Sequence, residues 1–304
     1  MTTFAWDDLR HFLAFARAGS MQSAAIALGV NQSTVQRRIA ELEACVGHRL
    51  VERHPGGYRL TELGERLRPA AEDVAAAAAA FERHLAASDQ AATGVVRLTC
   101  GSGVADVLQR SPLIDAFHAS RPGLRVELVI SDRVLDLARA EADIAIRFGE
   151  PTDESLVGRK IADASWAVYA GRAYVERHGR PRDVEDLNRH VLVGCDGPIK
   201  DYPGPRRLRA LAPHAAVTTR SDHWQGVLLA LKAGAGLVAM PRWQGDRDNE
   251  IVRVIDDIGL VLPCYLLMHR DMQHAPRVRA FADFVASDIK SFRELFMNND
   301  PAGA

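Results

Sequence analysis

Ser20–Glu43, SMQSAAIALGVNQSTVQRRIAELE, divides at Gly29 into two short amphipathic helices. Ala24, Ala25 and Leu28 give the first helix one apolar stripe, while Val35, Ile39 and Leu42 recur at i, i+4 and i+7 on the second. Each helix therefore has a face to bury against a shared core. The opposite face of the second carries Gln32, Ser33, Gln36 and Arg37, with Thr34 and Arg38 flanking and Asn31 at the N-cap position. Amides can bond adenine edges, guanidinium can bond guanine, and helix N-terminal amides suit phosphate, so this is the chemistry of major-groove readout. The same pattern also suits a helical hairpin whose polar face is merely solvated.

The neighbouring sequence separates the two readings. Upstream, Leu9, Phe12, Leu13 and Ala16 form an apolar stripe on a helix that Gly19 can end, supplying the third helix that a helix-turn-helix packs against. Downstream, Gly47 breaks the second helix and Arg49–Leu60, RLVERHPGGYRL, reads as a hairpin with Pro55, Gly56 and Gly57 at its tip. Arg49, Arg53, His54 and Arg59 would then lie beside the flanking phosphates, where they position without reading sequence.

Thr61 can cap a long helix running to about Ser88, in which Leu63, Leu67, Ala70, Val74, Ala77, Phe81 and Leu85 recur close to a 3.5 repeat. Such a seam needs a partner helix, and the alanine run Ala75–Ala80 allows close approach. Pro69 is a place for a bend. From Gly94 the pattern becomes alternating strand and helix. Strands are expected at Val95–Cys100, Arg125–Ile130, Asp143–Phe148, Ser165–Tyr169, Val191–Val193, Val217–Thr219, Leu237–Met240 and Pro263–Met268. Gly101, Ser102 and Gly103 are expected to turn into a helix running to about Ser120, and a further helix is expected over Val134–Ala140, the whole implying a parallel sheet with crossovers. The terminal NNDPAGA reads as a fraying end.

Composition fits without deciding. The 304 residues are enough for two or three domains, and 47% hydrophobic with 25% charged is ordinary soluble protein. Net charge is -1, and residues 1 to 60 hold seven Arg against five Asp plus Glu, so the argument for DNA rests on where the arginines sit. No run of 18 apolar residues and no basic-then-apolar leader is seen, so neither a membrane span nor a secretory signal is expected. The cysteines Cys45, Cys100, Cys195 and Cys264 are widely spaced and make no ligand cluster, so buried reduced thiols are the default.

The run Asp7–Leu67, DDLRHFLAFARAGSMQSAAIALGVNQSTVQRRIAELEACVGHRLVERHPGGYRLTELGERL, resembles the N-terminal domain of LysR-type transcriptional regulators, and the likeness continues through the rest of the chain. It implies an N-terminal all-α winged helix-turn-helix with a long linker helix, and a C-terminal α/β domain of two subdomains related to periplasmic binding proteins. The implied division is 1–60 for DNA binding, 61–89 for the linker and dimerisation helix, and 90–304 for effector binding. Within the last, subdomain I covers about 94–165 and 265–290, and subdomain II about 166–264. The DNA-binding candidates are Asn31, Gln32, Ser33, Thr34, Gln36, Arg37, Arg38, Arg53 and Arg59. The implied partners are double-stranded promoter DNA, a small-molecule effector, RNA polymerase if the protein activates, and a second copy in a homodimer or homotetramer, all in the bacterial cytoplasm and away from membranes. One departure stands out: the family often has Ser where this chain has Gln36, and Pro or a small residue near Ser33, which puts the base preference in doubt.

Open α/β sheets bind ligands at the carboxyl ends of strands. That rule selects Gly101, Ser102 and Gly103, whose turn into a helix offers amides and a hydroxyl to a carboxylate or similar anion, together with Ser131, Phe148 and Gly149. In subdomain II it selects Cys195, Asp196, Thr219 and Trp224. Each of these also fits a helix cap or a core contact. GxG within Lys232–Pro241 follows a helix and leads into a strand, the wrong order for a dinucleotide site, and the histidines show no ligand spacing. No catalytic residue, metal ligand or cofactor is assigned. The competing reading, an enzyme or solute-binding protein with an N-terminal appendage, lacks a nucleophile–base constellation and an export signal.

Overall fold

A computed structural model of the chain describes residues 4–88 and 93–297. Two compact units are found, Met1–Glu82 and Arg83–Ala304. In the first, Trp6–Ala18 (α1), Met21–Leu28 (α2) and Gln32–Val46 (α3) pack around Phe12, Leu13, Phe15, Val35, Ile39 and Leu42. Ser20 caps α2 by accepting from the Ser23 amide at 3.0 Å. Gly29, at φ 65°, turns the chain between α2 and α3 in a left-handed conformation that a side chain would strain. The wing is the antiparallel pair Val51–His54 (β1) and Gly57–Leu60 (β2), with Val51 opposite Leu60. Its base is fixed by Glu43, whose Oε1 accepts from the Leu50 amide at 2.8 Å and the Val51 amide at 2.9 Å.

Glu62–Ser88 (α4) starts at Thr61, whose Oγ1 accepts from the Gly64 amide at 3.1 Å, and continues past Pro69 without an interruption. Leu63, Ala71 and Ala75 pack onto the first unit's core. Leu67, Ala70, Val74, Ala77, Phe81 and Leu85, six members of the expected seam, are all exposed, Phe81 at 71%. This row leaves one apolar face of α4 open to solvent.

The second unit contains Gly94–Cys100 (β3), Ser102–Arg110 (α5), Leu113–Ser120 (α6), Leu124–Ile130 (β4), Ile144–Phe148 (β5) and Leu156–Gly171 (β6). It continues with Arg172–His178 (α7), Val191–Cys195 (β7), Pro203–Leu211 (α8), Ala216–Ser221 (β8), Trp224–Lys232 (α9) and Leu237–Pro241 (β9). Arg242–Gly245 (α10), Ile251–Ile255 (β10), Val261–His269 (β11), Pro276–Ser287 (α11) and Ile289–Phe296 (α12) complete it. The strand order is β4-β3-β5-β11-β6-β9-β7-β8, with β10 also on β6. Two α/β lobes result. The first lobe centres on β3, β4 and β5 with α11 and α12 over Leu98, Ile144, Phe117 and Phe281; the second centres on β7, β8 and β9. Strands β6 and β11 join them, pairing from Leu156↔His269 to Ser165↔Val261, after which β6 turns to β9 at Trp166↔Pro241.

Several expectations need correction. The sheet is mixed: β3–β4, β3–β5, β7–β8 and β7–β9 are parallel, but β6 and β11 pair antiparallel with their neighbours because they carry the chain between lobes. The single helix expected to Ser120 is two, broken at Ser111 and Pro112, since proline has no amide to continue the ladder. Val134–Ala140 is not an α-helix but an extended segment ending in one 3₁₀ turn, Leu137–Arg139. Side chains take the amides that a helix would use: Asp136 accepts from Ala138 and Glu141 from Asp136. Strand β10 was not expected at all. The terminal NNDPAGA and the boundary at residues 89 and 90 lie outside the described residues.

Candidate functional site

Helix α3 buries Val35, Ile39 and Leu42 and turns Asn31, Gln32, Ser33 and Arg37 fully outward, with Thr34 and Gln36 at the margin. Asn31 sits at the N-cap without a side-chain cap bond, leaving its amide for another partner. The two adjacent arginines differ. Arg37 is exposed and pairs along its own helix with Glu41 at 2.7 Å. Arg38 reaches back to α1, 3.2 Å from Asp8 and 3.8 Å from Asp7, and 3.3 Å from Glu41, so it holds α3 onto α1. On the wing, Arg59 pairs with Glu52 at 2.7 Å, while Arg53 is exposed and makes no ion pair among the described residues. Surface pairs such as Arg37–Glu41 and Arg59–Glu52 contribute about 0–1 kcal/mol.

Between the two α/β lobes lies a cavity of about 370 Å³, in the range that holds a small organic molecule. Its first-lobe wall comes from Gly101, Ser102 and Gly103 at the start of α5, from Ser131 to Leu135 after β4, and from Arg147 and Phe148 on β5. The second lobe contributes Trp166, Tyr202 and Trp224, and Trp243 and Gln244 follow from β9, Trp243 packing into the first-lobe core. The lining is largely apolar and aromatic. Tyr202 and Trp224 stand 5.7 Å apart, and Phe148 stacks on Trp243 at 5.8 Å.

A few polar groups are set into this wall. The Ser102 hydroxyl is buried without a hydrogen-bond partner. Arg147 donates to the Leu135 carbonyl and has no ion-pair partner among the described residues; burial holds its guanidinium below the usual arginine range. Asp132 crosses the cavity mouth, accepting from the Trp224 amide at 2.8 Å, while the Tyr202 hydroxyl donates to the Asp132 carbonyl at 3.3 Å. The Trp224 indole donates to Gln244 at 3.3 Å, and the Gln244 amide lies 2.8 Å from where a β-carbon on Gly103 would stand.

Six of the ten residues selected by the strand-end rule line this cavity: Gly101, Ser102, Gly103, Ser131, Phe148 and Trp224. The other four do not. Gly149, at φ 96°, donates to Pro263 at 2.9 Å where the chain leaves the first lobe. Asp196 pairs with Arg220 at 3.1 Å. Thr219 lies on β8, the outermost strand. Cys195 packs against the second-lobe core, where burial pushes its thiol up to about 12. Asp132 stands with Ser131 at the end of the second strand, where the same rule points, but was not among the ten; Arg147, Tyr202 and Gln244 went unselected. Gln244 lies in the short helix just after β9, within reach of the rule, whereas Tyr202 carries no such signal.

Comparison with known proteins agrees with these features. Residues 6–65 match the model of the bacterial regulatory helix-turn-helix protein, lysR family, and residues 89–290 match the LysR substrate binding domain. The chain belongs to the LysR family. It is a LysR-type DNA-binding transcriptional regulator with a substrate-binding domain, and proteins of this family are regulators rather than enzymes. An HTH-type transcriptional regulator of Xanthomonas campestris is 30% identical, covering 97% of this chain and 89% of its own. The HTH-type transcriptional regulator CrgA of Neisseria meningitidis is 31% identical over 93% of this chain and 96% of its own. Full-length AphB, a Vibrio cholerae virulence activator of the same family, superposes with a TM-score of 0.62 at 25% identity, covering 93% of this chain and 99% of that one. LysR regulators bind promoter DNA and small-molecule effectors and form oligomers, and the architecture expected from the sequence is the one observed.

Proposed function

We propose that this LysR regulator reads its operator through Gln32, Ser33, Gln36 and Arg37, with Asn31, Thr34, Arg53 and Arg59 on the flanking backbone and Arg38 acting from behind by anchoring the reader helix. The observation that carries this reading is α3 itself: one face locked into the core by Val35, Ile39 and Leu42, the other presenting amide, hydroxyl and guanidinium groups outward. Residues 1–60 bind the duplex, 61–89 pair with a second copy along the exposed α4 seam, and 90–304 bind the effector, with lobes of about 94–165 plus 265–290 and 166–264. Two paired copies hold two readers for half-sites about one DNA turn, or a multiple of it, apart.

The effector occupies the interlobe cavity and is a small molecule with an apolar body, its polar or anionic group meeting Ser102 or Arg147. Binding shifts the balance between arrangements of the subunits only as far as it favours one over the other. Among the described residues no helix is long and apolar enough to cross a membrane. A DNA-binding role supports a cytoplasmic location, with RNA polymerase as a further partner if the protein activates. Selection of genomic fragments by the purified chain, followed by footprinting with and without a metabolite panel, tests both halves. A recovered site with two half-sites is expected. Failure to prefer any fragment over bulk competitor at low salt would refute the DNA reading, and footprints indifferent to every metabolite would remove the effector.

A further inference from the structure

The segment Ser131–Ala140 touches three things at once. At its start, the Asp132 carboxylate leaves the first lobe and accepts the Trp224 amide at 2.8 Å, closing the first turn of α9 in the second lobe; the Tyr202 hydroxyl meets the Asp132 carbonyl. In its middle, Val134 and Leu135 form part of the cavity wall, and the Leu135 carbonyl accepts from Arg147. At its end, the Ala138 carbonyl accepts from Arg83, which belongs to the last turns of α4. Arg83 is 6% exposed and also lies 3.4 Å from Asp271, so its guanidinium is committed to this junction. No regular helix stiffens the segment. Its last residue, Ala140, is the one non-glycine with positive φ among the described residues, a conformation that persists only where the surroundings impose it.

We infer that Ser131–Ala140 is a relay, in which Asp132 senses whether the lobes are closed and Arg83 passes the state of the segment to the end of the linker helix. A body entering the cavity presses on Val134 and Leu135, between the two anchors, and so alters both together. This rests on reading the cavity as the effector site, but the anchors exist without any ligand and can be tested without one. It assigns a role to Arg83, a residue that contacts neither the cavity nor the DNA-reading face.

The test is hydrogen exchange on the full chain, comparing wild type with Asp132→Ala, Arg83→Ala and the double variant. Asp132→Ala should speed exchange at the Trp224 amide by about tenfold, the effect of losing one charge-assisted hydrogen bond, and should also speed exchange in residues 81–85 of α4 by about threefold. In the Arg83→Ala background the second effect should vanish while the first remains. Faster exchange at Trp224 with residues 81–85 unchanged would overturn the relay, as would an α4 response of the same size with Arg83 absent. If Asp132→Ala fails to fold, Tyr202→Phe removes the other strap contact, and a response in residues 81–85 that needs Arg83 is again required. None of these measurements involves DNA, so a failed relay leaves the reading of α3 standing, and a failed fragment selection leaves the relay.

Discussion

Replacing Glu43 by alanine and by glutamine separates the two things its carboxylate does. The side chain is 7% exposed, and a single oxygen, Oε1, takes both the Leu50 and Val51 amides, at 2.8 and 2.9 Å. The other oxygen pairs with Arg49 at 2.9 Å, but Arg49 is 79% exposed. Alanine leaves two buried amides at the base of the wing without an acceptor, at about 1–3 kcal/mol each before water recovers part, so a loss of about 2–4 kcal/mol is expected. Glutamine can put its carbonyl where Oε1 stands, keeping both amides and losing the charge assistance and a screened pair, for about 1 kcal/mol. In a unit of this size each kcal/mol moves the melting temperature by about 4–8 °C, so Glu43→Ala should lower the melting of this unit by roughly 8–32 °C and Glu43→Gln by about 4–8 °C. Calorimetry of the whole chain gives the transitions, and hydrogen exchange at Leu50 and Val51 shows whether the loss is local. Equal losses in both variants would mean that charge rather than acceptor geometry fixes the wing, and no loss in either would remove Glu43 from the account.

The two neighbouring arginines should behave oppositely. Arg37→Ala should weaken the preferred operator by roughly 1–3 kcal/mol with little effect on bulk DNA or on melting, whereas Arg38→Ala should lower stability by about 1 kcal/mol by freeing the Asp8 carboxylate. Paired binding and melting curves would show it, and equal affinity losses on all sequences would reassign Arg37 to phosphate. Gly103→Ala places a methyl 2.8 Å from the Gln244 amide, which must swing aside and release the Trp224 indole. Its folding cost should be under about 1 kcal/mol because Gln244 is a flexible side chain, yet tryptophan emission should shift; an unchanged spectrum would refute the contact. The thiols of buried Cys100 and half-buried Cys195 are each pushed from 9.0 up to about 12, so the folded chain keeps protons that the unfolded chain gives up. Their contribution is fully present below pH 9 and lost as pH rises from there towards 12, so melting should fall across that window and fall less in the double Cys→Ala variant.

The DNA-reading unit was legible because its determinants are local. Val35, Ile39 and Leu42 announce their face by spacing alone, and Gly19, Gly29 and Gly47 end helices wherever they stand. What spacing did not tell was the fate of a long side chain: nothing in QRR distinguishes Arg37, which stays outside, from Arg38, which α1 draws in. The cavity was half legible for a related reason. Strand ends point to one rim, but Asp132 meets Trp224 across 92 residues and Tyr202 across 70, contacts that exist only once two lobes face each other. The Val134–Ala140 segment was misread because its residues favour helix, and only Asp136 and Glu141, placed by the fold, take its amides away.

The lobes are joined by β6 and β11, which stay hydrogen-bonded to each other up to the crossing, where the Trp166 amide donates to Leu260 at 3.1 Å. A two-stranded ribbon flexes easily across its flat side and resists sliding of one strand past the other, because sliding would break every rung of the ladder. Pro263 offers no amide, and the register slips between Cys264 and Tyr265, so the ribbon is weakest just inside the first lobe. Opening or shutting of the cleft about this spine would therefore turn one cover against the other, as in a book, with sideways shift opposed by the rungs. A signal carried by such a turn would be read as an angle.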